Sequence, residues 1–147
     1  MIVAILSSRS IAAAGAALML SAAAAPTAGG TLNVRLNGIR SAQGSVQIDV
    51  YAATRKRAAG RRVASRRGAM SVPFDNMPPG AYVVYVYHDE NSNGTLDTGG
   101  LLGLPIEGYA FSNDAPARFG PPSIKAMTVI VPGGGSVQTV ATMRYRR

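Results

Sequence analysis

The sequence predicts an all-β protein, a single antiparallel β-sandwich of about seven short strands. Two observations carry that prediction. Beyond the first two dozen positions, apolar residues recur mostly with period two, the spacing of a strand with alternating faces and not of a helix. Clusters of Gly, Pro and Asn also bound each run at short intervals, as turns between strands do.

Taken in order, the predicted strands are Leu32 to Leu36, Ser45 to Tyr51, Ala69 to Phe74, Ala81 to Tyr87, Glu107 to Phe111, Ala126 to Val131 and Val137 to Arg144. The run from Ala81 to Tyr87 is apolar at almost every position. That marks a central strand covered on both faces, with tyrosine hydroxyls reaching the margins. Asn76-Met77-Pro78-Pro79-Gly80 ahead of it reads as a turn, because proline presets the bend and glycine tolerates positive φ. Gly99-Gly100 and Gly133-Gly134-Gly135 read as further turns or hairpin connections. Between Arg55 and Arg67, closely packed like charges with Ala and Gly between them show little periodicity and are expected to form a mobile, solvated loop.

Residues 1–24 read as a secretory signal peptide: Arg9 is the positive flank, Ile11 to Leu20 the apolar run and Ala22-Ala23-Ala24 the small-residue cleavage site. The run is shorter and richer in Ala than the roughly 20 apolar residues that span a bilayer. Export to the periplasm or beyond is therefore expected, with residues 25–147 as one β-sandwich domain. The chain has no cysteine, which excludes disulfide staples, thiol chemistry and cysteine-ligated zinc.

Charge is unevenly placed. Seven of the 15 basic residues (Arg55, Lys56, Arg57, Arg61, Arg62, Arg66 and Arg67) lie in one short run, whereas five of the seven acidic residues lie between positions 89 and 114. With a net charge of +8, an exported chain favours anionic envelope components, and the basic run suits phosphate-bearing lipid or acidic polysaccharide. Lacking interleaved aromatics, the run does not resemble a single-strand nucleic-acid platform, so no nucleic-acid partner is expected.

The segment richest in chemistry is Asp89-Glu90-Asn91-Ser92-Asn93-Gly94-Thr95-Leu96-Asp97. Oxygen side chains at every second position around one glycine are the pattern of a calcium-binding loop. Candidate ligands are Asp89, Asn91, Asn93, the Thr95 carbonyl and Asp97, with calcium as the expected cofactor. The bidentate Glu expected at the twelfth position is Gly100 instead, which points to a weak site unless Glu107 or Asp114 folds back. The same residues also suit an Asx-rich turn that caps its own backbone, and both readings stay open.

From His88 through Asp97, then Leu102 to Asn113 and Phe119 to Ser123, the chain resembles an uncharacterised family of exported bacterial proteins, domain-of-unknown-function family 2141. That resemblance implies export and a β-rich fold, and it brings no known reaction. Asp89, Asn91, Asn93 and Asp97 also resemble the loop of calcium-binding, prealbumin-like repeat domains in bacterial surface adhesins. The turn from Pro79 to Tyr82 resembles transthyretin-like and carboxypeptidase-regulatory sandwiches at fold level only. The expected sandwich is accordingly of the prealbumin-like or immunoglobulin-like kind.

Three functions follow as expectations. The first is a non-catalytic binding or structural module of the cell envelope, with Tyr109, Phe111, Asn113, Arg118 and Phe119 forming a groove beside the calcium loop for a glycan, peptide or small ligand. The second is a small envelope hydrolase using His88 with Asp89 or Glu107, which requires those side chains to converge in one pocket. No Gly-x-Ser-x-Gly elbow accompanies them. The third is an anion-binding accessory protein acting through the Arg55 to Arg67 run on anionic envelope lipid.

Overall fold

The computed structural model describes residues 27–118 and 120–146. The expected signal peptide, the ligand candidate Phe119 and Arg147 lie outside those residues.

Ten strands, a short 3-10 turn and one α-helical turn make up the regular structure of the described chain: β1 (Gly30–Ile39), β2 (Ser45–Ala52), β3 (Arg57–Ala64), β4 (Gly68–Met77), β5 (Gly80–Asp89), β6 (Thr98–Gly99), β7 (Leu104–Pro105), β8 (Gly108–Phe111), the 3-10 turn (Ser112–Asp114), α1 (Ile124–Met127), β9 (Val129–Val131) and β10 (Ser136–Thr142). A three-stranded sheet in the order β10-β1-β4 faces a five-stranded sheet in the order β3-β2-β5-β8, in which β9 also pairs with β5. The all-β sandwich expected from the sequence is what forms.

Alternation decides what lies between the layers. Leu32, Val34 and Leu36 on β1, Val46, Ile48 and Val50 on β2, and Tyr82, Val84 and Val86 on β5 all enter one buried cluster with Val72 and Phe74 of β4. The intervening β2 and β5 residues (Gln47, Asp49, Tyr51, Val83, Tyr85 and Tyr87) therefore turn to the opposite, outer face of the larger sheet. Strand β5 sits between β2 and two short partners: β9 covers Gly80 to Tyr82, and β8 covers Tyr85 to His88.

Three features differ from the sequence expectation. The basic run is not a mobile loop. Arg57–Ala64 is an edge strand registered against β2 from Val46↔Val63 to Val50↔Ala59, because the ladder satisfies its backbone and nearby acids offset part of its charge. The expected strand from Ala126 begins only at Val129. Ser123 caps a helical turn ahead of it by accepting a hydrogen bond from the Ala126 N–H, so that turn competes with extension. Finally, β10 pairs with β1 in parallel, so the smaller sheet is mixed. The Gly133 to Gly135 segment carries the chain from β9 in one sheet to β10 in the other and does not close a hairpin, with the Thr31 N–H donating to Gly135 O at 2.9 Å.

Candidate functional site

Two regions carry the candidate side chains, and both are organised by β5. Its C-terminal end runs directly into the oxygen-rich loop, and its outward-facing residues floor a cleft.

The loop is built around carboxylates held by backbone donors. Asp89 is fully buried, and its two oxygens accept from the Asn93 N–H at 3.0 Å and the Gly94 N–H at 2.9 Å. Asn91 Oδ1 also accepts from Asn93 N–H, and Asn93 Oδ1 accepts from the Thr95 N–H and hydroxyl. The Asn91 and Asn93 bonds are two Asx turns in series, and Asp89 spans both of them. The amides of Asn91 and Asn93 both reach Asp97, at 2.6 and 2.8 Å. Asp89, Asn91, Asn93, Thr95 and Asp97 thus belong to one hydrogen-bonded loop, in which Thr95 takes part through its N–H and hydroxyl.

Of the two acids that could fold back, Glu107 does so, as a clamp on the loop's backbone. It is buried, and its two oxygens accept from Glu90 N–H at 3.0 Å and Asp97 N–H at 3.1 Å, closing both ends of the loop. Asp114 does not fold back, because its carboxylate accepts from the Thr142 N–H and hydroxyl. Among the described residues, no three His, Cys, Asp or Glu side chains gather into a metal cage. A cation here would rest on Asp89, Asp97 and neutral amide and carbonyl oxygens. That all-oxygen donor set fits a hard cation such as calcium, at the cost of weak charge compensation. Arg62 opposes it, with its guanidinium 3.8 Å from Asp89 Oδ2.

The cleft lies on the outer face. Tyr51, Tyr85, Phe111 and Tyr109 form a continuous row of edge-to-face rings, with centroids 5.6 to 5.8 Å apart. The row follows from register, since Tyr85 is paired with Phe111 and Tyr87 with Tyr109 across β5 and β8. At one end the floor is covered by Met127 and Ala115, which pack on Val83. Elsewhere it is open as a cleft of about 670 Å³ lined by Tyr51, Val83, Tyr85, Tyr87, Leu96 and the Pro121-Pro122 segment. A second, largely apolar hollow of about 220 Å³ shares Tyr85, Tyr87, Leu96 and Pro121 with it and extends to Leu104, Tyr109, Phe111 and Arg118.

The Tyr87 hydroxyl donates to Gly94 O at 2.9 Å, so the oxygen-rich loop is pinned to the cleft floor. Burial, with Asp49 and Asp89 nearby, raises the Tyr87 phenol above its ordinary pKa. Polar groups sit at the margins. Asp49 is neutralised by Arg57 at 2.6 Å, and Arg55 and Arg118 line the two hollows.

Of the residues predicted to bind ligand, Tyr109, Phe111 and Arg118 line the cleft system. Asn113 does not. Its side chain is spent on Thr128 O and the Thr139 hydroxyl, joining the segment after β8 to β10. Sequence reasoning missed Asp49, Tyr51, Tyr85, Tyr87 and Leu96. The signal was available in the outward phase of β5, where Val83, Tyr85 and Tyr87 present an aromatic surface to the side that a two-layer sandwich leaves open.

The basic run does not form one patch. Arg57 and Arg62 serve Asp49, Gln47 and Asp89 on the outer face, and Arg61 lies over the Phe74 ring at 5.4 Å. Arg55 and Lys56 lie in the β2–β3 turn, and Arg66 and Arg67 in the link to β4.

His88 does not share a pocket with Asp89, because neighbours on a strand face opposite sides. It is fully buried, with Nε2 2.8 Å from Gln43 O and 2.9 Å from Ser65 Oγ, and Nδ1 2.8 Å from the Tyr145 hydroxyl. A carbonyl can only accept, so these partners assign the proton to Nε2 and make Nδ1 the acceptor. The ring nitrogen beside Ser65 is therefore a donor, unable to take that hydroxyl's proton as a general base. Glu90, 4.0 Å from Nδ1, is engaged by Arg40, whose guanidinium holds its carboxyl below the ordinary range. Among the described residues no hydrogen bond or ion pair joins His88 to Asp89 or Glu107, the convergence that the hydrolase expectation requires; the carboxylate beside His88 is Glu90.

The family comparison bears on the whole of this arrangement. Residues 34–140, which contain both the loop and the cleft, match the family model described as "Uncharacterized protein conserved in bacteria (DUF2141)". The chain belongs to this family. Searches of curated proteins and of solved structures gave no match. For DUF2141, the described residues of this member supply a sandwich, an Asx-turn loop and an aromatic cleft joined through Tyr87. Among them, no helix is long and apolar enough to cross a membrane.

Proposed function

We propose that this protein is an exported, non-catalytic binding module of the bacterial cell envelope, whose ligand site is the aromatic cleft on the outer face of the five-stranded sheet. The supporting observation is the Tyr51-Tyr85-Phe111-Tyr109 row, whose Tyr51 and Tyr85 line an open hollow of about 670 Å³ and whose Tyr85, Phe111 and Tyr109 line the adjoining hollow of about 220 Å³. Concave, mostly apolar sites with a few polar groups at the margin are how proteins hold small or extended ligands. The cleft suits an elongated, largely apolar ligand with an anionic group, which Arg55 or Arg118 would meet at either end.

The apolar anionic dye 8-anilinonaphthalene-1-sulfonate tests this reading. The native protein is expected to bind it, and Tyr85→Ala and Leu96→Asp are each expected to weaken binding about tenfold, the worth of one desolvated aromatic or apolar contact. Equal dye binding by both variants, with their folds intact, would remove the cleft as the site.

Calcium enters the same proposal as the ion that stiffens the cleft rim through Asp89, Asn91, Asn93, the Thr95 carbonyl and Asp97. A dissociation constant of about 0.1 to 1 mM is expected from two carboxylates. At calcium ten times that value, stability rises by about 1.4 kcal/mol, a melting-temperature increase of a few degrees. The increase should vanish with chelator and in Asn93→Ala, and should grow in Arg62→Gln because the opposing charge is gone. A melting curve insensitive to calcium at every concentration would leave the loop as an Asx-capped turn.

A further inference from the structure

The β6–β7 hairpin has the reverse of ordinary turn chemistry. Gly103 N–H donates to Gly100 O at 3.2 Å, which closes a tight turn with Leu101 and Leu102 at its two central positions. Positive φ at Gly100 and Gly103 is what lets the turn close around them. Central turn positions facing water are usually Asn, Asp, Gly or Pro. Here the relative exposures are 103 % for Leu101 and 78 % for Leu102, with Leu104 and Ile106 also exposed below them.

We propose that this hairpin is a membrane-surface anchor, in which Leu101 and Leu102 insert into the interfacial layer of an anionic bilayer while Arg146 and Arg118 meet the lipid headgroups. Shape favours a bilayer over a protein partner. Leu101 and Leu102 stand out at the tip, and even with the half-exposed Leu104 and Ile106 the apolar surface is four side chains, below the roughly 800 Å² per partner of a stable protein interface. A bilayer accepts such a tip without a complementary surface.

Charge points the same way. A Cβ at Gly100 would lie 3.6 Å from the Arg146 guanidinium, and Arg118 lines the hollow that Leu104 and Pro105 help to enclose. The nearby carboxylates keep their charge but are turned to the loop's own donors: Glu107 is buried on backbone N–H groups, and Asp97 accepts from Asn91 and Asn93. The whole chain carries +8, so a negatively charged surface attracts it before the leucines make contact. Stable peripheral anchoring takes an apolar and a basic signal together, and the tip supplies both.

The chain has no tryptophan, so Leu102→Trp places a single reporter at the tip that reads insertion there whatever the rest of the chain does. Chelator is kept present, which makes the outcome independent of any calcium site, and neither residue lines the cleft. With vesicles of phosphatidylglycerol and phosphatidylethanolamine, the emission should shift to the blue and be quenched by brominated acyl chains. Adding Leu101→Asp should weaken that binding about tenfold or more, the loss of one inserted leucine. High salt should weaken it as well. Unshifted and unquenched emission would overturn the proposal, and so would equal binding to neutral phosphatidylcholine vesicles or an Asp variant that binds undiminished. A blue shift that grows with protein concentration in the absence of lipid would overturn it in favour of a second copy covering the tip.

Discussion

His88→Ala is expected to lower stability by about 3 to 5 kcal/mol, the range for emptying a fully buried site and orphaning its polar partners. The ring fills core volume and ends three interactions at once, with Gln43 O, Ser65 Oγ and the Tyr145 hydroxyl. That hydroxyl also accepts from the Arg40 N–H at 3.1 Å, and the Arg40 guanidinium lies 4.4 Å from the Tyr145 ring centre. The network therefore joins the β1–β2 connection, the start of β4's approach at Ser65, β5 and the C-terminal segment. Tyr145→Phe keeps the ring and removes only the hydroxyl, so a loss of about 1 to 2 kcal/mol is expected. Urea unfolding with an unchanged m-value is the measurement. A loss under about 1 kcal/mol for His88→Ala would show that this network is not what holds the four segments together.

Glu107→Ala is expected to cost about 3 kcal/mol, since two charge-assisted hydrogen bonds from partly buried backbone donors to a buried carboxylate are lost together. The carboxylate closes both ends of the oxygen-rich loop at once, at Glu90 N–H and Asp97 N–H. The Ile106 N–H adds a bond to Asp97 O at 3.0 Å, so the hairpin base is tied to the same point. The variant should also lose any stabilisation by calcium, because Asp97 is no longer positioned toward Asn91 and Asn93. Glu107→Gln retains one good acceptor but turns an amide N–H₂ toward the other backbone donor, and should recover less than half of the loss. Chemical denaturation, repeated with calcium and with chelator, reads both effects. A variant as stable as the native chain would mean that water replaces the clamp at no cost.

Legibility in the sequence varied with how local the determinant was. The sandwich was readable because alternation at Leu32, Val34 and Leu36, and at Val46, Ile48 and Val50, reports directly which face is buried. The Asp89 to Asp97 loop was readable because its side-chain-to-backbone bonds join residues only two to five apart, two of them Asx turns, so spacing alone specifies its oxygens. The strand from Arg57 to Ala64 was not readable, because its pairing depends on the free edge of β2 and its charges on Asp49, Gln47 and Asp89 from other segments. Ser123 illustrates the converse, a local cap strong enough to delay a strand that composition alone would have begun at Ala126.

The chain by itself determined the fold class, the composition of the loop and the outward phase of each strand. Those properties follow from short-range periodicity and from side chains bonding to their own neighbourhood. Only the tertiary structure decided that Tyr51, Tyr85, Phe111 and Tyr109 form one row, that Glu107 clamps the loop and that His88 is enclosed away from Asp89. Each depends on register between strands distant in sequence. That register is set by the fit of the whole core and has no signature in any single segment.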